Sequence, residues 1–251
     1  MVTVARISAN TVLPARRQAV VLETADGLDL IGELSLPENE EPRATLILLH
    51  PLPTHGGMMD SHIYRKAAWR LPALADLAVL RFNTRGTASE AGRSDGTFDN
   101  GISERLDVAA ALNFTTTQDL PNPWLIGWSF GTDLALMHGC KPEIKGAVLI
   151  SPPLRWSTAE QLQAWADSEK PVVCLVPELD DYLKPAEAEQ RFKAIPRATV
   201  ITFPGARHLM VGHSEKVLDA IVNAVAPEVH TPLPRDWNGP CEKRQVTIIN
   251  K

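Results

Sequence analysis

Between residues 44 and 226 the chain alternates short, uninterrupted apolar runs with longer segments of helical pattern. Uninterrupted apolar runs are typical of strands that a parallel sheet buries on both faces. The predicted strands lie at 44–49, 78–82, 124–127, 146–150, 172–177 and 199–203. The helical segments lie near 60–75, 101–117, 131–140, 158–168, 186–195 and 213–225. Pro72 is expected to end or bend the first helix, because proline lacks the backbone N–H of a helical residue.

The segments at the two ends of the chain have other patterns. Residues 20–23 and 28–34 flank Asp26-Gly27, which predicts an antiparallel hairpin with a type I′ turn. A hairpin followed by strand–helix repeats indicates an α/β fold, with a mostly parallel twisted sheet, helices on both faces and one domain over residues 1–226. Residues 227–251 lack helical periodicity and are predicted to form an irregular tail. Its segment 246–249 is expected to be disordered or to pair as an edge strand.

Composition and charge exclude several classes of function. A net charge of −5 and a pI near 5.8 argue against a nucleic-acid partner, which normally meets a basic face. The chain has no apolar run long enough for a membrane span and no apolar leader of the secretory type. Its three cysteines are widely spaced, and no Cys/His spacing suggests a metal site. We therefore expect a cytoplasmic protein with no nucleic-acid partner, no membrane span and no metal site.

The segment Gly127-Trp128-Ser129-Phe130-Gly131 has the pattern Gly-x-Ser-x-Gly and lies between a predicted strand and a predicted helix. This setting is typical of a nucleophile elbow, a strained turn that lifts the serine hydroxyl clear of the sheet. The flanking glycines have a steric reason, because strand and helix approach too closely for a Cβ there. Ser129 is therefore the candidate nucleophile.

A serine nucleophile needs a histidine base and a carboxylate that orients it, in the chain order Ser, Asp or Glu, His. The predicted strand 172–177 leads into a segment with three carboxylates, Glu178-Leu179-Asp180-Asp181-Tyr182. The next strand leads through a Pro-Gly turn to His208, the candidate base, with His213 as the alternative. All of these positions follow strand carboxyl ends, where open α/β sheets place their sites.

Two backbone N–H groups must stabilise the oxyanion that forms during attack. One is expected from Phe130, the residue after the nucleophile. The other is expected from the loop 50–57, where Leu52 stands between two prolines and is the only N–H donor among residues 51–53. His50 and His55 are then neighbours of the site, and we expect them to serve loop packing rather than catalysis.

Together these segments resemble the α/β-hydrolase superfamily over most of residues 20–226, and within it small bacterial hydrolases of the dienelactone-hydrolase-like type. The segments that carry the resemblance are 50–53, 56–60, 81–86, 94–101, 127–131, 178–182 and 205–208. The resemblance implies Ser129 as nucleophile, Asp180 rather than Asp181 as acid, and His208 as base. Dienelactone hydrolases have cysteine where this chain has Ser129, so their lactone substrate is not expected here.

The connection 151–171 is too short to hold a lid domain, so an open site without a cap is expected, with the polar loop 83–99 as one wall. These features predict a cofactor-free serine hydrolase, a monomer or homodimer, that cleaves carboxylic ester or thioester bonds of small acyl substrates through an acyl-enzyme. Two alternatives remain open at this point. One is an amide or peptide hydrolase of the same fold, and the other is a non-catalytic binding protein built on that fold.

Overall fold

A computed structural model describes residues 5–242 of the chain, so the segment 246–249, predicted as disordered or as an edge strand, lies outside the described residues. The strands are β1 (Ala5–Arg6), β2 (Arg16–Glu23), β3 (Asp29–Leu36), β4 (Ala44–Leu49), β5 (Leu77–Phe82), β6 (Ala88–Ser89), β7 (Gly92–Arg93), β8 (Pro123–Trp128), β9 (Gly146–Ile150), β10 (Val172–Pro177), β11 (Ala198–Phe203) and β12 (Asp236–Trp237). The helices are α1 (His62–Ala75), α2 (Glu104–Thr117), α3 (Phe130–His138), α4 (Ala159–Asp167), α5 (Pro185–Phe192) and α6 (Ser214–Val225), with a single 3-10 turn at Pro53–His55.

Eight of these strands form one sheet in the order β11-β10-β9-β8-β4-β5-β3-β2. The six strands from β11 to β5 are parallel to one another, whereas β3 pairs antiparallel with both β5 and β2. The predicted fold class, a mostly parallel sheet with an antiparallel N-terminal hairpin, is therefore confirmed. Because β8 lies at the centre between β4 and β9, the turn that follows it is at the middle of the carboxyl edge.

The core has two layers, one on each face of the sheet. Helices α1 and α6 cover one face, and α2, α3, α4 and α5 cover the other. Every residue of β4, β5 and β8 is buried, as expected for strands enclosed between two layers of helices. Each buried Leu, Ile, Val or Phe side chain contributes about 1.5–3 kcal/mol relative to exposure, so this enclosure holds the strand ends in fixed positions.

One local prediction was wrong. The hairpin turn is not type I′, because Gly27 has φ of 79° but Asp26 does not have the positive φ that this type requires. Helix α1 does not end at Pro72 but continues three residues further to Ala75, where the helical pattern of the sequence also ends. The carbonyl of Ala68, which the missing N–H of proline leaves without its helical donor, accepts a hydrogen bond from Arg17 Nη2 at 3.3 Å.

The tail and the amino-terminal segment meet on the surface. Strands β1 and β12 form a separate two-stranded antiparallel sheet, and Glu242 forms an ion pair with Arg17. The backbone N–H of Glu242 also donates to Val12 O at 2.9 Å. Among residues 5–242, no helix combines the length and the apolar character needed to cross a membrane.

Candidate active site

Ser129 lies in the sharp turn between β8 and α3, with φ of 52° and ψ of −118°. Positive φ is uncommon for a residue other than glycine and indicates a strained backbone. The turn depends on Gly131, since a Cβ there would lie 1.8 Å from the carbonyl oxygen of Leu49 on the neighbouring strand. The elbow predicted from the sequence is therefore present as local geometry, and the Ser129 side chain is half-buried at the carboxyl edge of the sheet.

Ser129, His208 and Asp180 form one hydrogen-bonded series. The Oγ of Ser129 lies 2.8 Å from Nε2 of His208, whose Nδ1 lies 3.1 and 3.0 Å from the two carboxylate oxygens of Asp180. Because a carboxylate only accepts, Nδ1 carries the proton and Nε2 is free to accept the serine hydroxyl. Asp180 is 2% exposed, and its Oδ1 also accepts the Tyr182 N–H at 2.8 Å.

The loop that contains His208 is held in place by hydrogen bonds to two of its backbone carbonyl groups. Ser151 Oγ donates to His208 O at 2.8 Å, and His62 Nε2 donates to Leu209 O at 2.9 Å. The ring of Tyr182 lies against the imidazole of His208, with 4.5 Å between the ring centroids. Sequence reasoning missed these contacts, which join segments far apart in the chain.

The alternative candidates lie elsewhere. His213 precedes α6 and packs edge-on against Phe203, with 6.4 Å between ring centroids, and it has no hydrogen bond to Asp180 or Ser129. Asp181 is exposed and lines the cavity beside Ser129, but it has no hydrogen bond to His208. Of the residues suggested by the sequence, the structure thus brings together Ser129, Asp180 and His208.

The loop after β4 places Leu52 beside Ser129. Leu52 has φ of −53° and ψ of 118°, which is outside the helical region, as expected for a residue before proline. Its carbonyl accepts the N–H groups of His55 and Gly57, both at 3.0 Å. The N–H groups of Leu52 and Phe130 donate no hydrogen bond to any described residue, and both residues line the same cavity as Ser129. Two backbone donors therefore remain available at the candidate site.

His50 is buried beneath this loop and does not contact Ser129. Its Nδ1 lies 2.7 Å from Pro51 O, and its Nε2 lies 3.0 Å from the backbone N of Thr84. Burial lowers the pKa of His50 to about 4, so the ring is neutral at pH 7. His55, by contrast, is exposed and lines the cavity.

The cavity beside Ser129 has a volume of about 370 Å³. Its lining residues are Pro51, Leu52, His55, Ser129, Phe130, Pro153, Arg155, Trp156, Asp181, Tyr182, His208 and Leu209. Among the described residues that line it, none comes from loop 83–99, so the prediction that this loop forms a wall was wrong. Segment 153–156 forms that wall instead. It follows β9, and the rule that sites collect at strand carboxyl ends could have found it.

Asp133 holds this wall in place. Its buried carboxylate accepts the backbone N–H groups of Arg155 at 3.3 Å, Trp156 at 3.1 Å and Ser157 at 2.9 Å, and the Ser157 hydroxyl at 2.5 Å. The Trp156 ring then packs edge-on against Phe130, with 5.2 Å between centroids. This wall of the cavity is therefore held by α3, the helix that begins directly after Ser129.

Comparison with known sequences gives one partial match. No protein-family model matches the chain. Over 118 residues it is 36% identical to an uncharacterized protein of Rickettsia prowazekii, a match that covers 45% of this chain and 47% of that protein. The chain thus spans about half the length of the curated relative it matches.

Solved structures give similarity over nearly the whole chain. A serine hydrolase without a lid from Xanthomonas campestris matches at a TM-score of 0.72 and 24% identity, over 89% of this chain and 100% of that one. A serine hydrolase homologue from Coxiella burnetii matches at 0.69 and 22%, over 83% and 97%. An esterase from Pyrococcus furiosus matches at 0.70 and 19%, over 86% and 94%. At such identities the likeness concerns the fold, and function must be argued from the site.

Proposed function

The chain has the α/β-hydrolase fold without a lid, and from its site we propose that it is a serine hydrolase cleaving carboxylic ester or thioester bonds of small acyl substrates. The observation that carries the proposal is the hydrogen-bonded series from Ser129 through His208 to Asp180. A serine hydroxyl is a weak nucleophile until a base accepts its proton, and this series provides the base and the group that orients it.

In the proposed reaction, Ser129 Oγ attacks the substrate carbonyl carbon while its proton passes to His208 Nε2, which accepts it across 2.8 Å. Asp180 holds the Nδ1–H and stabilises the imidazolium that forms. The imidazolium then donates the proton to the departing alcohol or thiol. Water attacks the acyl-enzyme with the same histidine as base, which releases the acid and restores Ser129.

The free N–H groups of Leu52 and Phe130 support the same proposal. Attack on a carbonyl places negative charge on its oxygen, and two backbone donors beside the nucleophile stabilise that charge. Since the prolines at 51 and 53 restrict the backbone around Leu52, this donor is held before substrate arrives. We therefore assign the oxyanion hole to the N–H groups of Leu52 and Phe130.

The cavity supports a small substrate. Its volume of about 370 Å³ is at the lower end of the roughly 300–1,000 Å³ usual for small-molecule sites. Much of its wall is apolar or aromatic, including Phe130, Trp156 and Tyr182. Such a wall favours an apolar acyl or alcohol group next to the reacting carbonyl.

A fluorophosphonate probe tests the proposal directly, because it phosphonylates only an activated serine. We expect one adduct, located by mass spectrometry on the peptide that contains Ser129, and no adduct in the Ser129→Ala variant. We also expect Ser129→Ala to lose about 10⁴-fold or more in ester hydrolysis while keeping the wild-type melting temperature. A folded wild-type protein that never labels would instead support the non-catalytic binding protein.

Substrate profiling separates the hydrolase classes. One acyl group is presented as a p-nitrophenyl ester, a thioester and a p-nitroanilide, and kcat/KM is compared for the three. We expect the ester or thioester to be the best substrate. A higher kcat/KM for the anilide would favour an amide or peptide hydrolase of this fold.

Asp133→Ala should weaken substrate binding more than chemistry. The change releases the segment 155–157, and with it the cavity wall at Trp156, but it leaves the Ser129–His208 contact in place. We expect KM to rise about tenfold for an apolar ester, equivalent to about 1.4 kcal/mol, with kcat changed less. Steady-state kinetics measure both constants. Glu160→Ala, an exposed change on the neighbouring helix α4, is the control and should leave both constants unchanged. A fall in kcat of Asp133→Ala as large as its rise in KM would contradict the role of Asp133 in holding the cavity wall.

A further inference from the structure

The peptide group between Pro51 and Leu52 links a buried histidine to the assigned oxyanion hole. His50 is 0% exposed, and it is the only fully buried histidine of the seven, all of which lie in the described part of the chain. Its two ring nitrogens are both in use, but neither contacts Ser129. The mechanism proposed above does not use this side chain, so its burial beside the site calls for another explanation.

The hydrogen bonds of His50 determine its tautomer. Nε2 lies 3.0 Å from the backbone N–H of Thr84, which can only donate, so Nε2 is the acceptor. Nδ1 therefore carries the proton and donates it to the carbonyl oxygen of Pro51 at 2.7 Å. The lowered pKa of His50 keeps this neutral form at pH 7.

The orientation of the Pro51 carbonyl determines the direction of the Leu52 N–H. In a trans peptide the C=O and the following N–H lie in one plane and point in opposite directions. A donor that holds Pro51 O on the buried side therefore holds the Leu52 N–H toward the cavity, where Leu52 lies beside Ser129. Without this donor the peptide plane could rotate, and the N–H would no longer meet the oxyanion.

Gly57 packs closely against the same peptide group and also restricts its orientation. A Cβ at position 57 would lie 1.9 Å from Pro51 O, and the Gly57 N–H donates to Leu52 O at 3.0 Å. A side chain at this position would displace the Pro51 carbonyl from the reach of His50. The close approach of Gly57 and the hydrogen bond from His50 thus restrict the same group.

We propose that His50 is a positioning residue that aims the Leu52 N–H at the substrate oxyanion by holding the Pro51 carbonyl. This inference rests on the proposed serine hydrolase function. It assigns His50 no proton transfer and no contact with substrate. Its consequence is specific: loss of the Nδ1 donor weakens stabilisation of the transition state, while binding of the uncharged ground state is almost unchanged.

His50→Leu and His50→Asn distinguish the effect of the Nδ1 donor from the effect of the volume that the His50 side chain fills. Leucine has similar bulk but no donor, whereas the amide of asparagine places an N–H near the position of Nδ1. We expect His50→Leu to lower kcat about 10- to 100-fold with KM within about threefold, somewhat less than the loss of a whole oxyanion donor. We expect His50→Asn to retain kcat within about fivefold of the wild-type value.

A trifluoromethyl ketone reports on the oxyanion itself. Its tetrahedral adduct with the serine carries a negatively charged oxygen at the position where the substrate oxyanion forms. Its inhibition constant should rise in His50→Leu by the same factor as kcat falls. His138→Asn is the matched control, since His138 also bonds a backbone carbonyl, that of Gly101 at 2.7 Å, away from the peptide of Leu52. We expect it to lower the melting temperature and to leave kcat and the inhibition constant unchanged.

Gly57→Ala provides a second route if His50→Leu does not fold. It keeps His50 but displaces Pro51 O, so it should lower kcat and raise the inhibition constant together, with little change in KM. Wild-type inhibition constants in folded His50→Leu or Gly57→Ala would overturn the inference, as would an equal loss of kcat in His50→Asn and His50→Leu. If the wild-type protein itself neither labels at Ser129 nor hydrolyses esters, it is the proposed function that fails.

Discussion

Asp180→Asn is expected to lower kcat by about 10⁴-fold while the protein remains folded. The carboxylate of Asp180 accepts the Nδ1–H of His208, and this bond leaves Nε2 free to accept the proton of Ser129. An amide at this position can donate its own N–H to Nδ1, which favours the tautomer with the proton on Nε2. In that tautomer the imidazole cannot act as the base for Ser129.

The neighbouring carboxylate provides the matched comparison. Asp181 has the same charge and is adjacent in sequence, but it is exposed and has no hydrogen bond to His208. We expect Asp181→Asn to retain kcat within about threefold, since it removes no interaction made in the transition state. Steady-state kinetics of the two variants decide which carboxylate is the acid, and thermal denaturation checks that both variants are folded. A larger loss of kcat in Asp181→Asn than in Asp180→Asn would contradict the assignment of the acid.

The fold could be predicted because its signal is local. Strands that are buried on both faces have to be apolar throughout, and β4, β9 and β10 begin and end where their apolar runs do. The helices between them are amphipathic, and their bounds differ from the prediction by only a few residues. Ser129, Asp180 and His208 could be found for a related reason, since each lies within five residues of the carboxyl end of a strand, β8, β10 and β11 in turn.

The rest depends on which strand ends become neighbours, and a single sequence does not state the order of strands. Asp133 on α3 accepts N–H groups from a segment more than twenty residues later. His50, just after β4, accepts the backbone N–H of Thr84, just after the adjacent strand β5. The polar character of loop 83–99 does not show that the loop lies away from the cavity. Its buried charges in fact attach it to the core, through Arg85.

Arg85→Met is expected to destabilise the folded protein by about 3–5 kcal/mol, the usual result of removing one partner of a buried ion pair. The Arg85 side chain is 5% exposed and its guanidinium lies 2.8 Å from the carboxylate of Asp107, which is 0% exposed. Without the guanidinium, the Asp107 charge stays buried, and among residues 5–242 its one remaining hydrogen-bond donor is the backbone N–H of residue 85, at 2.8 Å. Denaturant unfolding measures the loss, and an unchanged midpoint would contradict this account.

A double variant distinguishes the buried charge from general loss of packing. Arg85→Met with Asp107→Asn removes both charges, but the asparagine oxygen can still accept the backbone N–H of residue 85. We expect it to recover more than half of the stability lost in Arg85→Met, because no uncompensated charge remains buried. Arg43→Met is the control, since the Arg43 side chain is 46% exposed and its ion pairs with Asp76 and Glu228 are accessible to solvent, and we expect little change.

The pH dependence of Arg85→Met follows from the same charge. Burial raises the pKa of Asp107, and removal of the Arg85 cation should raise that pKa further. A carboxyl group with a higher pKa in the folded than in the unfolded state destabilises the fold when ionised. In Arg85→Met the loss of stability due to the Asp107 charge is therefore complete above the folded-state pKa of Asp107. It becomes smaller as the pH falls toward the unfolded-state pKa of about 3.9. Because Thr84 precedes Arg85 and bonds His50, we also expect this variant to have a lower kcat before it unfolds.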